Sequence, residues 1–192
     1  MIVDAAILAG GRARRMGGRN KALLEIDGQR IVDRQLAVLA PLAGEVLLVT
    51  GDPVPYSGVR GARVVLDRHP GLGPLAGIQA AFYASAADAL LVIACDLPFL
   101  DGNLVRLVRD HAPGAQAVVP RLGERPQPLH ARFARSALPA IDARLARGAL
   151  RVMDLLAELD VTWLDEPALR AVDPTLRGLT NVNTPEELEA LT

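Results

Sequence analysis

The sequence contains a single cysteine, Cys95, so no intrachain disulfide can form and a disulfide-stapled fold is excluded. Aromatic residues make up only 3% of the chain, although hydrophobic residues make up 51%. A core must therefore be built mainly from alanine, leucine, valine and isoleucine. This composition is typical of a folded globular protein and not of a disordered chain.

The chain also lacks an excess of either charge, because 21 Lys and Arg residues are balanced by 22 Asp and Glu residues. A global attraction to nucleic acid or to an anionic membrane is not expected, so a bound anion must be held by a local site. No apolar run has the length of a membrane span, and the opening Met1–Ala6 has no basic leader. We expect a cytoplasmic protein without a nucleic-acid or membrane partner.

Short apolar runs alternate with amphipathic segments along the chain. The runs that we predict as strands are Val3–Leu8, Glu45–Thr50, Ala62–Leu66, Ala89–Ala94 and Ala115–Pro120. The segments that we predict as helices are Arg30–Leu39, Leu75–Ala86, Asn103–His111, Ser136–Arg147, Arg151–Leu159 and Pro185–Leu191. The alternation predicts an α/β fold, with a doubly wound, mostly parallel, Rossmann-like sheet and helices on both faces. We expect one domain over residues 1–192.

The stretch Arg121–Arg132 departs from this alternation. It contains a glycine and two prolines, followed by the strand-like sequence PLHARF. We predict a loop that leads to a strand, one able to cross the sheet.

The first loop, within "AILAGGRARRMGGRNKALLEI" (Ala6–Ile26), concentrates glycines and cations directly after a strand. Ligands of doubly wound sheets collect at the carboxyl ends of strands. Gly10 and Gly11 leave backbone amides open to a ligand, and a set of cations surrounds them: Arg12, Arg14, Arg15, Arg19 and Lys21. The loop therefore favours a polyphosphate site, while a solvated surface turn is the alternative that composition leaves open.

Two common phosphate-binding motifs do not fit this loop. The P-loop needs G-x-x-x-x-G-K-[ST], but neither Gly17 nor Gly18 is followed by lysine and a hydroxyl residue. The dinucleotide fingerprint G-x-G-x-x-G is not supplied by Gly10–Arg15, which disfavours an NAD-dependent oxidoreductase. The loop indicates a phosphate binder of a third kind.

The segment "LAGGRARRMGGRNK" resembles the nucleotide-binding signature L-A-G-G-x-x-x-R-M-G-x-x-x-K of the molybdenum cofactor guanylyltransferase family. Four further blocks resemble that family in the same order and extend the resemblance over almost the whole chain: GPLAGI, CDLPFL, QPLHARF and NVNTPEEL. The resemblance implies a nucleotidyltransferase fold. It also implies transfer of GMP from GTP to molybdopterin, with Mg²⁺ as cofactor and pyrophosphate as the second product.

The resemblance implies roles for residues in the first loop and beyond it. The backbone of Leu8, Ala9, Gly10 and Gly11 would contact GTP, and Arg15 and Lys21 would be catalytic cations on its triphosphate. Asp96 would be a catalytic Mg²⁺ ligand, which suits a hard cation that prefers oxygen. Its alternative role is a helix cap.

Three further residues are candidates on weaker grounds. The resemblance places Asp67 in the nucleotide site, with a surface ion pair to Arg68 as the alternative. It places Asn181 and Asn183 near the pterin, whose hydrogen-bonding edge suits an amide. Turn and cap chemistry before Pro185 is the alternative for Asn183. We assign no role to His130, and Cys95 is expected to pack as a small hydrophobe.

The implied mechanism is direct in-line displacement, in which the molybdopterin phosphate attacks the α-phosphate of GTP. This attack needs no general base, since a phosphate monoester is largely ionised at neutral pH. Guanylyltransferases commonly have an aspartate where this chain has Asn20, before Lys21. A cytidylyltransferase that uses CTP therefore remains an alternative function, whereas Gly10-Gly11 favours the guanine enzyme.

The same scaffold could also serve a sugar-phosphate nucleotidyltransferase, whose usual loop differs, or a non-catalytic nucleotide-binding module. The resemblance further implies cofactor biosynthesis proteins and acceptor molybdoenzymes as partners.

Overall fold

A computed structural model describes residues 1–10, 20–182 and 187 of the chain. Ten strands have their bounds within these residues: β1 (Val3–Leu8), β2 (Glu25–Ile26), β3 (Gln29–Arg30), β4 (Val46–Thr50), β5 (Arg63–Leu66), β6 (Ala89–Ala94), β7 (Ala117–Leu122), β8 (Arg125–Pro126), β9 (His130–Ala134) and β10 (Val161–Asp165). Six α-helices do so as well: α1 (Ile31–Leu39), α2 (Pro74–Ala84), α3 (Gly102–Asp110), α4 (Leu138–Ala146), α5 (Val152–Leu156) and α6 (Glu166–Val172).

The main sheet has the strand order β5–β4–β1–β6–β9–β7–β10, with β8 paired to β7. The pairs β4–β5, β1–β4, β1–β6 and β7–β10 are parallel. Only β9 within this order runs against its neighbours, being antiparallel to both β6 and β7. The predicted mostly parallel α/β sheet is therefore confirmed, and the strand expected after the Arg121–Arg132 loop is β9.

Helices cover both faces of the sheet, as predicted. Two separate apolar clusters fill the space between the sheet and the helices. Side chains of α1, α3 and α6 enter one cluster, and side chains of α2, α4 and α5 enter the other: Leu36, Leu104 and Leu169 in the first, and Ile78, Ile141 and Leu155 in the second. Strand β1 is buried along its whole length because it lies between them.

Five of these elements are absent from the sequence prediction: β2, β3, β8, β10 and α6. The hairpin β2–β3 turns through Asp27 and Gly28, both with positive φ, which is the Asp-Gly signal of a tight hairpin. Strand β10 lies at an edge and is only partly buried, so it lacks the continuous apolar run of the inner strands. Helix α6 follows it directly.

The predicted and observed bounds differ at the ends of several elements. The predicted helix Ser136–Arg147 begins instead with a 3-10 turn at Arg135–Ala137, followed by α4. The predicted helix Pro185–Leu191 falls outside the described residues, apart from Glu187. Among the helices described, none combines the length and apolarity needed to cross a bilayer.

Candidate active site

The strand order creates a switch point between β1 and β6. The chain passes from β1 to β4 and β5 on one side, then returns to the other side of β1 to form β6. The connections after β1 and β6 therefore lead to opposite sides of the sheet, and ligands of open α/β sheets bind at the carboxyl edge beside such a point. Two of the predicted site residues, Lys21 and Asp96, follow these two strands.

Lys21 and Asp96 meet at this switch point. The Lys21 Nζ lies 3.1 Å from the Asp96 Oδ2, and the two side chains are 20% and 17% exposed. They are 75 residues apart in sequence, so the contact is made entirely by the tertiary fold. A cation and a carboxylate that are both open to solvent on one side can face a common ligand.

Local structure fixes Lys21 in place. It begins a 3-10 turn, Lys21–Leu23, for which Asn20 is the N-cap. The Asn20 Oδ1 accepts a hydrogen bond from the Ala22 amide at 3.2 Å, and Ala22 is fully buried in the core. The cap and the buried alanine anchor the turn, which leaves the lysine side chain to reach the edge of the sheet.

Asp96 has an unused oxygen. Its Oδ1 is buried and has no hydrogen-bond partner among the described residues. A buried carboxylate oxygen without a donor is costly unless a ligand satisfies it, and a divalent cation is such a ligand. The described residues contain no cluster of three or more metal-ligating side chains. Asp96 fits a metal held by one carboxylate, with phosphate oxygens and waters completing the shell.

The backbone after β1 lies directly at the switch point. The Leu8 side chain is buried in the core, and the Ala9 amide donates to the Val49 carbonyl at 2.8 Å. Gly10 is exposed, and a Cβ there would meet nothing within 4 Å. Gly10 therefore offers backbone rather than a side chain to a ligand, whereas the amide and carbonyl of Ala9 are already bonded within the protein. Gly11 and Arg15 lie outside the described residues.

Asp67 lies at the same edge but farther away. It follows β5, three strand spacings from β6, which amounts to roughly 14 Å. The residue is buried, and its Oδ1 accepts the His69 amide at 2.9 Å; the described residues show no ion pair with Arg68. Asp67 and Asp96 cannot share one metal ion at that separation. They could contact different parts of one elongated ligand.

Asn181 lies beside Asp96. The amide of the next residue, Val182, donates to the Asp96 carbonyl at 2.9 Å, and Asn181 itself is exposed. The segment before the predicted last helix is therefore joined to the loop after β6. Asn183 lies outside the described residues.

The turn predicted at Gly73–Gly77 opens α2. Gly73 is the N-cap with a φ of +84°, and Pro74 occupies the first turn. A Cβ on Gly77 would lie 3.2 Å from the Leu8 Cδ2, so the absence of a side chain lets α2 approach β1 closely. Gly77 thus places the beginning of α2 beside the end of β1.

Tyr56 was missed by the sequence reasoning. Its hydroxyl lies 2.7 Å from the Asn20 Oδ1 and 3.2 Å from the Ala9 carbonyl, and the residue is only 1% exposed. Burial raises the pKa of this phenol well above its usual value, so it is a neutral donor. The chain has only two tyrosines, and this scarcity was the one sequence feature that could have drawn attention to Tyr56.

Burial shifts the titration of Cys95 and His130 away from physiological pH. Burial, followed by the nearby Asp96, raises the pKa of the Cys95 thiol to about 12. Burial lowers the pKa of His130 to about 4, and neither ring nitrogen has a partner among the described residues. The cysteine is a thiol and the imidazole is neutral at physiological pH.

Comparisons with known proteins agree with this geometry. Residues 5–162 match the family model described as the MobA-like NTP transferase domain. A probable molybdenum cofactor guanylyltransferase of Pelotomaculum thermopropionicum is 39% identical over 95% of this chain and 88% of its own length.

Solved structures agree as well. The molybdopterin-guanine dinucleotide biosynthesis protein A of Archaeoglobus fulgidus has a TM-score of 0.85 at 27% identity, covering 98% of this chain and 96% of its own. The Rv0371c protein of Mycobacterium tuberculosis, solved in complex with manganese, has a TM-score of 0.71 at 18% identity, covering 100% and 98% of the two chains. The second likeness concerns the fold alone.

Proposed function

The chain belongs to the MobA-like NTP transferase family, and from this premise we propose that it transfers GMP from GTP to molybdopterin. The products are the guanine dinucleotide form of the cofactor and pyrophosphate. The observation that carries the proposal is the contact between the Lys21 Nζ and the Asp96 Oδ2 at the switch point of the sheet. It brings together a phosphate-binding cation and a carboxylate with a free oxygen.

In the proposed reaction, a terminal phosphate oxygen of molybdopterin attacks the α-phosphorus of GTP. A new P–O bond forms, the bond to the bridging oxygen of the β-phosphate breaks, and pyrophosphate leaves with the electron pair. The attacking phosphate is largely ionised at neutral pH, since its second pKa is about 6, and it needs no general base. The buried His130 is neutral, because burial lowers the pKa of its imidazole to about 4.

Lys21 would contact the phosphate oxygens and stabilise the negative charge that grows on the leaving pyrophosphate. Arg15, outside the described residues, is proposed to assist it. Asp96 would hold Mg²⁺ through Oδ1, with Oδ2 remaining on the lysine. When bound, the ion would neutralise charge on the phosphate oxygens.

The nucleoside would lie across the strand ends on the β1, β4 and β5 side. The exposed backbone at Gly10 and the carboxylate of Asp67 are the groups we propose for it. The acceptor would approach from the other side, next to Asn181, whose neighbour Val182 is bonded to the Asp96 carbonyl. Asn183 is proposed to act with Asn181.

The departure at Asn20 does not favour cytosine over guanine. Its Oδ1 faces inward and accepts from the Ala22 amide and from the Tyr56 hydroxyl. An aspartate could accept both bonds equally well, so the side chain at this position serves the turn rather than the base. Asn20 leaves the base open, so the proposal of GTP rests on the Gly10-Gly11 pair and on the guanylyltransferase relatives. We propose a cytoplasmic one-domain enzyme that hands its product to acceptor molybdoenzymes.

The proposal is tested by thermal-shift titration with GTP, CTP and ATP, each with and without Mg²⁺, followed by a transfer assay with molybdopterin. GTP should stabilise the protein selectively, by an amount that grows with ligand concentration. Asp96→Asn should abolish the Mg²⁺-dependent part of the shift and the release of pyrophosphate. Asp142→Asn, a carboxylate on α4 that bonds Gln79 and Tyr83, is the matched control.

A larger shift with CTP would replace the guanine proposal by the cytidylyl activity. Binding of GTP by the wild type without any transfer, and with no effect of Asp96→Asn, would indicate a non-catalytic nucleotide-binding module.

A further inference from the structure

Gln35 is a polar side chain on the apolar face of α1. Its neighbours on that face are buried and pack in the core: Ile31, Val32, Leu36 and Leu39. Gln35 itself is 0% exposed. A buried amide is unfavourable unless it is hydrogen-bonded, so its partners indicate what it contributes.

The two partners of Gln35 lie on either side of Asp96. The Gln35 Nε2 donates to the Ala94 carbonyl at 2.8 Å and to the Leu97 carbonyl at 3.0 Å. Both donors of the amide group are therefore used, on the last residue of β6 and on the loop that follows it, while the Oε1 is buried without a partner among the described residues. The orientation of the amide is fixed by these bonds, because its oxygen could not pair with two carbonyls.

This loop is held from three directions. The Ala94 amide donates to the Leu129 carbonyl at 2.7 Å, and the Asp96 carbonyl accepts from the Val182 amide at 2.9 Å. Among the described residues, Gln35 is the one whose side chain bonds to the backbone of Ala94–Leu97. Without it, two carbonyls would lose their partners on the side facing α1, and the loop would be free to move in that direction.

We propose that Gln35 is a positioning residue that fixes the Asp96 carboxylate for metal binding. The inference rests on the proposed function, in which Asp96 holds the divalent cation. Mg²⁺ accepts oxygen ligands only within a narrow range of about 2.0–2.1 Å and in near-ideal octahedral geometry. A shift of the Asp96 backbone would therefore weaken the metal bond before it affected contacts to the nucleotide made from β1.

The test compares Gln35→Met, which keeps the length of the side chain but has no donor, with Leu36→Ala. Leu36 lies on the same helix, is buried in the same core and makes no contact with the loop carbonyls through a polar group. Both variants lose stability, whereas only Gln35→Met removes the two hydrogen bonds. The readouts are Mn²⁺ affinity in the presence of GTP by electron paramagnetic resonance, GTP affinity without metal, and kcat and KM for transfer.

Gln35→Met should weaken Mn²⁺ binding at least about tenfold and lower kcat by about 10- to 100-fold, as expected when a reacting group is displaced by up to about 1 Å. GTP affinity without metal and the KM for GTP should change by less than about threefold, since the nucleotide contacts remain in place. Leu36→Ala should lower the melting temperature while leaving Mn²⁺ affinity within about twofold. Unchanged Mn²⁺ affinity in Gln35→Met, or an equal loss in Leu36→Ala, would overturn the inference.

A second measurement separates positioning from general stability. In the Asp96→Asn background, Gln35→Met should cause no further loss of Mn²⁺ affinity, because the ligand that it positions is gone. An additive loss would contradict the inference. If Gln35→Met does not fold, Gln35→Asn tests the same prediction, because the asparagine side chain is one methylene too short for its amide to reach both carbonyls.

The outcomes also distinguish this inference from the proposed function. A wild-type protein that binds Mn²⁺ with GTP but transfers nothing would refute the transferase proposal, while the comparison of Mn²⁺ affinities would still decide the role of Gln35. A wild-type protein that transfers GMP, together with an unaffected Gln35→Met variant, would refute the role of Gln35 alone.

Discussion

Tyr56→Phe tests whether one buried hydroxyl joins the backbone before the first loop to the turn after it. The phenol lies 2.7 Å from the Asn20 Oδ1 and 3.2 Å from the Ala9 carbonyl, so one proton is shared between two acceptors on opposite sides of the loop. Phenylalanine keeps the ring and removes only this contact. The ring is buried, so water cannot easily replace the lost donor.

The expected loss in the free energy of unfolding follows from the hydrogen bonds that Tyr56→Phe removes. A net hydrogen bond contributes about 1 kcal/mol, and a buried acceptor left without a donor costs about 1–3 kcal/mol. In Tyr56→Phe the Asn20 Oδ1 still accepts the hydrogen bond from the Ala22 amide, so it loses only one of its two donors. We expect a loss of about 1–2 kcal/mol in the free energy of unfolding, or roughly 2–8 °C in Tm for a chain of this size.

The same substitution should weaken GTP binding. Asn20 caps the turn that carries Lys21, so loosening Asn20 allows the lysine to move away from the phosphates. We expect the KM for GTP to rise by about three- to tenfold, which corresponds to roughly 1 kcal/mol of lost binding. The measurements are thermal unfolding and steady-state transfer kinetics.

Tyr83→Phe is the matched control. Tyr83 is 68% exposed, and its hydroxyl donates to the Asp142 Oδ2 at 2.9 Å on the surface. The same chemical change there should cost less than about 0.5 kcal/mol and leave the KM for GTP unchanged. Equal effects in the two variants, or an unchanged KM in Tyr56→Phe, would refute the reasoning that the buried hydroxyl supports the Lys21 turn.

Two further predictions concern the partly buried Cys95 and the buried His130. Because burial raises the pKa of Cys95 to about 12, the folded protein should resist iodoacetamide at pH 8 and react once unfolded; rapid labelling of the native protein, followed by mass spectrometry, would contradict this. Burial lowers the pKa of His130 to about 4 in the folded protein, whereas an unfolded histidine titrates near 6.5. The unfolded state therefore takes up the proton first as the pH falls. The free energy of unfolding should decrease by roughly 3 kcal/mol as the pH drops from about 6.5 to below 4. His130→Leu should remove this part of the decrease in the free energy of unfolding, measured by urea unfolding between pH 7 and pH 4. Identical slopes of that free energy against pH in the wild type and the variant would contradict the prediction.

The local pattern of the chain was enough to predict much of the fold. Strands β1 and β6 have the predicted bounds, because a buried strand is a short apolar run bounded by turn residues. Edge strand β10 was missed, since a strand that is half exposed has no such run. The reversal of β9 depends on its neighbours β6 and β7, which a local pattern does not specify.

The sequence by itself determined which chemical groups were available. A glycine-rich, cation-rich loop after the first strand favoured a phosphate site, and the family resemblance of the sequence named Lys21 as a catalytic cation and Asp96 as a Mg²⁺ ligand. Residue type and position relative to a strand are local properties, so they can be obtained without knowing the strand order.

Only the tertiary structure decided which of these groups meet and what supports them. Lys21 and Asp96 come within 3.1 Å because β6 returns to the free side of β1. Tyr56, in a turn after β4, bonds Asn20, and Gln35, on α1, bonds the carbonyls of Ala94 and Leu97. Their contribution depends on hydrogen bonds between segments that are far apart in the chain, and such bonds exist only after the core has packed.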